Sequence, residues 1–189
     1  MIVHTDKIKN DAVLAAQAWV QSVVIGLNFC PFAGKEVASQ RVRYQPSQAE
    51  DLQSALEIVA AECEILDQNA EIETTLLIFT QAFSEFHPFL DLLDLANQLI
   101  CDRGYEGIYQ LASFHPDYCF ADVQSDDPSN YTNRSPLPML HIIREQSLER
   151  ALDKTANPEK IPERNIQLAQ QLGTEKLKQL LNKCIHPDD

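Results

Sequence analysis

The chain carries its densest polar chemistry between Phe114 and Glu145, and a second, smaller concentration around Cys30. In Ser113-Phe114-His115-Pro116-Asp117-Tyr118 the imidazole of His115 can move protons or bind a metal near neutral pH, and Asp117 could orient it. In Asn130-Tyr131-Thr132-Asn133-Arg134-Ser135 the planar guanidinium of Arg134 can hold a carboxylate or phosphate through two parallel hydrogen bonds. Asn130, Thr132, Asn133 and Ser135 could complete such an anion pocket. His141 follows on an apolar run, MLHII, where strand alternation puts it on one face with Ile143. In LNFCPF, Cys30 precedes a rigid proline, and a thiolate there would need a nearby cation, for which Lys35 is a candidate.

Each group also has a bland reading. Cys30 can pack as a small hydrophobe between Phe29 and Phe32. His115 can bond loop backbone, and Asn, Ser and Thr side chains often satisfy their own neighbourhood. Two imidazoles and a carboxylate, His115, His141 and Asp117, would suit zinc or ferrous iron, but no short His-x-His or HExxH spacing supports them and no metal is assigned. The Thr74-Thr75 pair reads as strand, and Glu71 and Glu73 as a solvated approach to it.

The elements that must position these residues follow from periodicity. Apolar residues recur at helical spacing from about Lys7 to Ile25, and Gly26 is expected to end that helix in a left-handed turn. Arg41 to Gln45 reads as a short strand. Ser47 and Glu50 resemble a capping box for a helix over about 48–67. Thr74 to Thr80 is β-branched and apolar, as in a strand buried on both faces. Ser84 could cap a helix with Pro88 in its first turn and Gly104 after its end. Gly107 to Ser113 and Met139 to Ile143 read as strands. Between them, Phe114 to Pro138 has no period, and so long a loop in a compact domain is more often functional or disordered than neutral. Ser147, Pro162 and Thr174 are expected to open three final helices, with Gly173 closing the second. The expected architecture is one α/β (α+β) domain over 1–189, a four-stranded mixed sheet with helices packed on it and a helical tail over 174–189. Two β-α-β units imply parallel crossovers, with the last strand antiparallel to the third or at an edge.

Composition narrows the function. With 28 acidic against 15 basic residues the formal charge is −13, which opposes nonspecific nucleic-acid binding and adhesion to anionic membranes. No apolar run approaches the roughly 20 residues of a membrane span. Five widely spaced cysteines without a CxxC pair, and the polar opening MIVHTDKIKND, point to reduced thiols in the cytoplasm. GxGxxG, GxxxxGK[ST] and GxSxG are all absent, which argues against dinucleotide, P-loop and serine-hydrolase chemistry. No cofactor is implied, and the oligomeric state is left open.

The stretches IGLNFCPF, ETTLLIF, LASFHPDY, NYTNRSPLPMLHIIRE and ERNI together resemble the bacterial domain-of-unknown-function 1415 family, over about 18–173. The resemblance implies no activity. It directs attention by position to Asn28, Cys30, His115, Asp117, Asn130, Tyr131, Asn133, Arg134, Ser135 and His141. Cys119, in HPDYCFAD, departs from the family pattern and is not taken as chemistry. Three readings stay open. One is an enzyme acting on a small polar or anionic metabolite, with Cys30, His115 and Asp117 catalytic at a site formed by 114–145 and the 28–35 turn. Another is a non-catalytic ligand-binding or regulatory module using that site. The third is a loop that merely covers a sheet edge.

Overall fold

The run TTLLIF forms strand β2, Thr74–Phe79, in which all six residues are buried. A computed structural model describes residues 2–186, with side chains from Asp6 onward, and places β2 inside a four-stranded mixed sheet. β1 (Val42–Ser47) lies parallel to β2 at one edge. β4 (Met139–Arg144) runs antiparallel between β2 and β3 (Tyr109–Phe114). The last strand is therefore antiparallel to the third, as expected, but it is interior. β3 takes the edge, and the crossover from β2 to β3 skips the space that β4 later fills.

Helices cover both faces. α3 (Leu52–Gln68) and α4 (Phe86–Asp102) bury Val59, Phe89 and Leu92 against Leu77, Phe79 and Leu140. On the other face α1 (Ile2–Trp19) and the C-terminal helices α6 (Ile161–Leu172) and α7 (Thr174–Ile185) pack on Leu76, Ile78 and Met139. Alternation along each strand splits its residues between these two cores. The chain forms a single α+β domain. Residues 187–189 of the expected tail lie outside the described residues.

Local chemistry corrects several boundaries. Asp51, not Ser47, caps α3: its carboxylate accepts from the Ser54 backbone N–H at 2.8 Å while Ser54 bonds back. Ser47 ends β1 instead, and its hydroxyl accepts from Ala49 N–H. Ser84 does not cap α4, whose N-cap position is Glu85. α5 (Glu145–Leu152) starts two residues before Ser147, and Thr174 donates its hydroxyl to the Asp126 carbonyl rather than capping α7.

The first helix changes character where the candidate site begins. Val20–Ile25 is a π-helix, closed by Gly26 N–H on the Gln21 carbonyl five residues back. Gly26 is right-handed, with φ −60, contrary to expectation. Its missing side chain serves close approach: a Cβ there would sit 2.3 Å from the Ser22 carbonyl oxygen. Asn28, at φ 55, makes the left-handed turn. A short helix not expected from the sequence, α2 (Ala33–Ala38), follows Pro31.

Candidate functional site

The segment 115–138 turns its polar groups onto itself. His115 is fully buried, with a ring centroid 5.2 Å from those of both Phe86 and Phe89. Its Nδ1 accepts the Asp117 backbone N–H at 3.0 Å, so the neutral ring donates Nε2–H to the Phe83 carbonyl at 2.9 Å. Burial holds its pKa below the usual histidine value, against the opposing pull of the Phe83 carbonyl and Asp117. Both nitrogens are engaged, and one of them pins Phe83, which is held at φ 64. The Asp117 side chain is exposed.

The amides behave alike. Asn130 is fully buried; it accepts from Phe120 N–H at 3.0 Å and donates to the Gln124 and Ser125 carbonyls. Asn133 donates to the Ser113 carbonyl, and Ser135 to the Leu137 carbonyl. Arg134 donates to the carbonyls of Tyr118 and Ser125 and lies over the Tyr131 ring, while its own carbonyl accepts from the Trp19 indole at 3.0 Å. Tyr131 is buried in the core on the α1 side. Backbone carbonyls therefore occupy the groups expected to hold an anion.

A different place gathers chemistry around a cavity of about 270 Å³. It lies between the α1 face of the sheet, the π-helix, α2 and α5. Its walls are largely apolar, with Trp19, Val24, Phe32, Phe114 and Leu148 among them. Cys30, Glu36, Glu73, Thr74, His141 and Ser147 add polar groups. The π-helix contributes Val20 and Val24, and widened helical turns of this kind recur at functional sites. Of the expected site residues, Cys30 and His141 meet at this cavity, whereas His115 sits on the opposite, α4 side. The two imidazoles and the Cys30–His115 pair are thus separated by the sheet. Lys35 is 79% exposed and pairs with Glu36.

Strand register creates the His141 environment. β2–β4 pairing sets Leu76 opposite His141 and Thr74 opposite Ile143, which makes Thr74 the diagonal neighbour of His141 on one face. The Thr74 hydroxyl is 2.6 Å from His141 Nε2 and 2.6 Å from the Ile142 carbonyl. A hydroxyl has one proton, and the carbonyl can only accept, so Thr74 donates to Ile142 and accepts Nε2–H from His141. Nδ1 is left as an acceptor, and among the described residues no protein group bonds it. The ring is half-buried only because it fronts the cavity; protein surrounds it otherwise, and burial pushes its pKa down to about 4.

Glu73 is nine-tenths buried rather than solvated. One carboxylate oxygen pairs with Arg41, which also reaches Glu36 at 3.3 Å, and the other, Oε1, is buried with no partner among the described residues. Arg144, also at the wall, directs its guanidinium to the carbonyls of Leu66, Asn69 and Ile72 and to the Tyr109 hydroxyl, closing the end of α3. The ERNI stretch acquires a role that the sequence did not suggest. Arg164 bonds the Asn28 carbonyl, and Asn165 donates to the Phe29 carbonyl at 2.7 Å, so α6 fixes the turn that presents Cys30. Cys30 is half-buried at the wall, while Phe29 enters the core. Glu36, Glu73 and Thr74 escaped the sequence reading; a glutamate set directly against the β-branched and apolar run TTLLIF was the one signal for Glu73.

These features define an α+β domain with a half-open, largely apolar cavity on one face of its sheet. A family model described as a protein of unknown function, DUF1415, matches residues 11–179, and the chain belongs to that family. No curated protein and no solved structure matches it.

Proposed function

We propose that the protein binds a small, mostly apolar molecule in the cavity between the sheet, the π-helix, α2 and α5. One observation carries this reading. His141 is neutral and fixed in one tautomer by Thr74, and its other ring nitrogen is left unbonded by the described residues at the wall of a largely apolar cavity. Apolar walls with a few placed polar groups are the usual make-up of ligand sites, and roughly 300–1,000 Å³ is their common size, so the ligand is small. The site shifts from the 114–145 segment as a whole to its two ends, Phe114 and His141, together with Cys30 from the 28–35 turn.

A ligand-binding or regulatory module fits best, because the polar loop that was to supply His115, Asp117 and Arg134 is spent on its own backbone. The catalytic version keeps one support, that a thiol and an imidazole line the same cavity. A cytoplasmic setting belongs to the proposal, supported by five free cysteines; among the described residues no helix is long and apolar enough to cross a membrane. The charge of −13 supports a small-molecule partner over a nucleic acid.

The test is binding of benzyl alcohol, followed by ligand-observed NMR, to the wild-type chain and to Ala112→Phe, which fills the cavity from β3. Wild type should bind and Ala112→Phe should not, while remaining folded by circular dichroism. Equal binding by a folded Ala112→Phe places the ligand elsewhere and sinks the assignment.

A further inference from the structure

We propose that α2 is a lid on the cavity, fixed at both ends and weakly made between them, which unwinds to admit the ligand. The inference rests on the cavity being a ligand site and adds how that site is entered.

The segment that carries α2 supplies one side of the cavity through Cys30, Phe32, Ala33, Glu36 and Val37. Its two ends are fixed. Arg164 and Asn165 of α6 hold the Asn28 and Phe29 carbonyls, and the Arg41 carbonyl accepts from Glu73 N–H at 2.8 Å beside β2. Between these points little holds it down. α2 packs on the π-helix and buries none of its six residues, and its share of the core is the half-buried Val37.

Each part of α2 departs from what a stable helix needs, and six residues are too few to persist without tertiary support. The N-cap residue is Phe32, whose side chain has no oxygen to accept the free N–H groups of the first turn. Gly34 lowers helix propensity, although space does not require glycine there: a Cβ would meet Ile25 Cγ2 at 3.9 Å, an ordinary contact. At the other end Gln40 N–H returns to the Val37 carbonyl and Arg41 N–H to the Glu36 carbonyl, the bond pair of a Schellman cap. The left-handed residue of that cap, at φ 56, is Gln40, where glycine is favoured and a side chain is strained. The apolar contact that commonly accompanies such a cap is replaced by the partly exposed Glu36–Arg41 ion pair, and pairs of that kind are weak. Choices that all weaken one element, at the wall of a cavity, mark a segment that opens well below the free energy of global unfolding. Lids are drawn from such segments.

The experiment is hydrogen exchange on the full chain at pH 7, read by NMR for wild type, Gly34→Ala and Gln40→Gly, with and without benzyl alcohol. The amides of Ser39 and Arg41, which bond the Lys35 and Glu36 carbonyls, report the closed helix. In wild type they should exchange about a hundredfold faster than those of β2. Both substitutions favour the closed helix and should slow that exchange, Gly34→Ala about threefold and Gln40→Gly about fivefold after correction for intrinsic rates. Benzyl alcohol should slow it too, and leave α4 on the opposite face unaffected. Exchange as slow as that of β2 overturns the lid, because α2 then opens only when the whole chain unfolds. So does exchange that neither substitution slows, or ligand protection that falls on α5 and not on α2. If benzyl alcohol does not bind, the cavity reading fails and the lid with it. If it binds and leaves Ser39 and Arg41 unprotected, the cavity reading survives and the lid alone fails.

Discussion

The loop 115–138 and the cavity beside His141 share a sheet and differ in where their polar atoms point. The loop has many more polar side chains, and nearly every one described above ends on a carbonyl or N–H of the same segment or its neighbours. The cavity has few, but among the described residues nothing bonds Nδ1 of His141 at its wall, and Oε1 of Glu73 is buried without a partner. Density of polar residues therefore measured how much backbone had to be satisfied, not how much was left for a ligand. A long irregular connection exposes many orphan peptide groups, and Asn, Ser, Thr and Arg are the residues that satisfy them. An apolar cavity needs only one or two unsatisfied atoms to become selective.

The sharpest way to break that contrast is Asn130→Ala. It leaves Phe120 N–H and the Gln124 and Ser125 carbonyls without their buried partner, and should destabilise the fold by about 4 kcal/mol in urea denaturation. A loss under about 1 kcal/mol would mean the loop is not held by its own polar groups.

Next in size is the acid response of His141. Its folded pKa, about 4, lies below the ordinary value of 6.5, so the unfolded chain takes up a proton first. The associated stability is intact above pH 6.5 and is lost as pH falls towards 4, by at most about 3 kcal/mol. His115 acts in the same direction. Denaturation curves at pH 7 and pH 5 should show a smaller drop for His141→Gln than for wild type; identical drops would place the wild-type ring in contact with solvent.

Smallest is Gly26→Ala, which forces a Cβ against the Ser22 carbonyl and should cost about 2 kcal/mol. Because Val20 and Val24 reach the wall from this π-helix, benzyl alcohol binding should weaken as well. Loss of stability with unaltered binding would separate the π-helix from the cavity.

Much of the fold was readable from the chain. β-branched and apolar residues at 74–79 permit only a buried strand, and Pro162 with Gly173 brackets α6 because one lacks an N–H and the other tolerates a positive φ. Caps were misread where two signatures competed, as Ser47-x-x-Glu50 and Asp51-x-x-Ser54 do; only the end of β1 at Ser47 resolves them. Of the site, Cys30 and His141 were singled out for their chemistry, but as members of different groups.

The chain alone determines residue types, local periods and net charge, because these depend on neighbours a few positions apart. Tertiary structure decided the pairings. Whether His141 meets Thr74 or His115 depends on β4 entering between β2 and β3, which places the two histidines on opposite faces. Whether Glu73 is solvated or buried depends on Arg41 and α2 closing over it. Contacts between residues 67 positions apart, as for Thr74 and His141, are set by the packing of whole elements, and no local pattern in the chain encodes them.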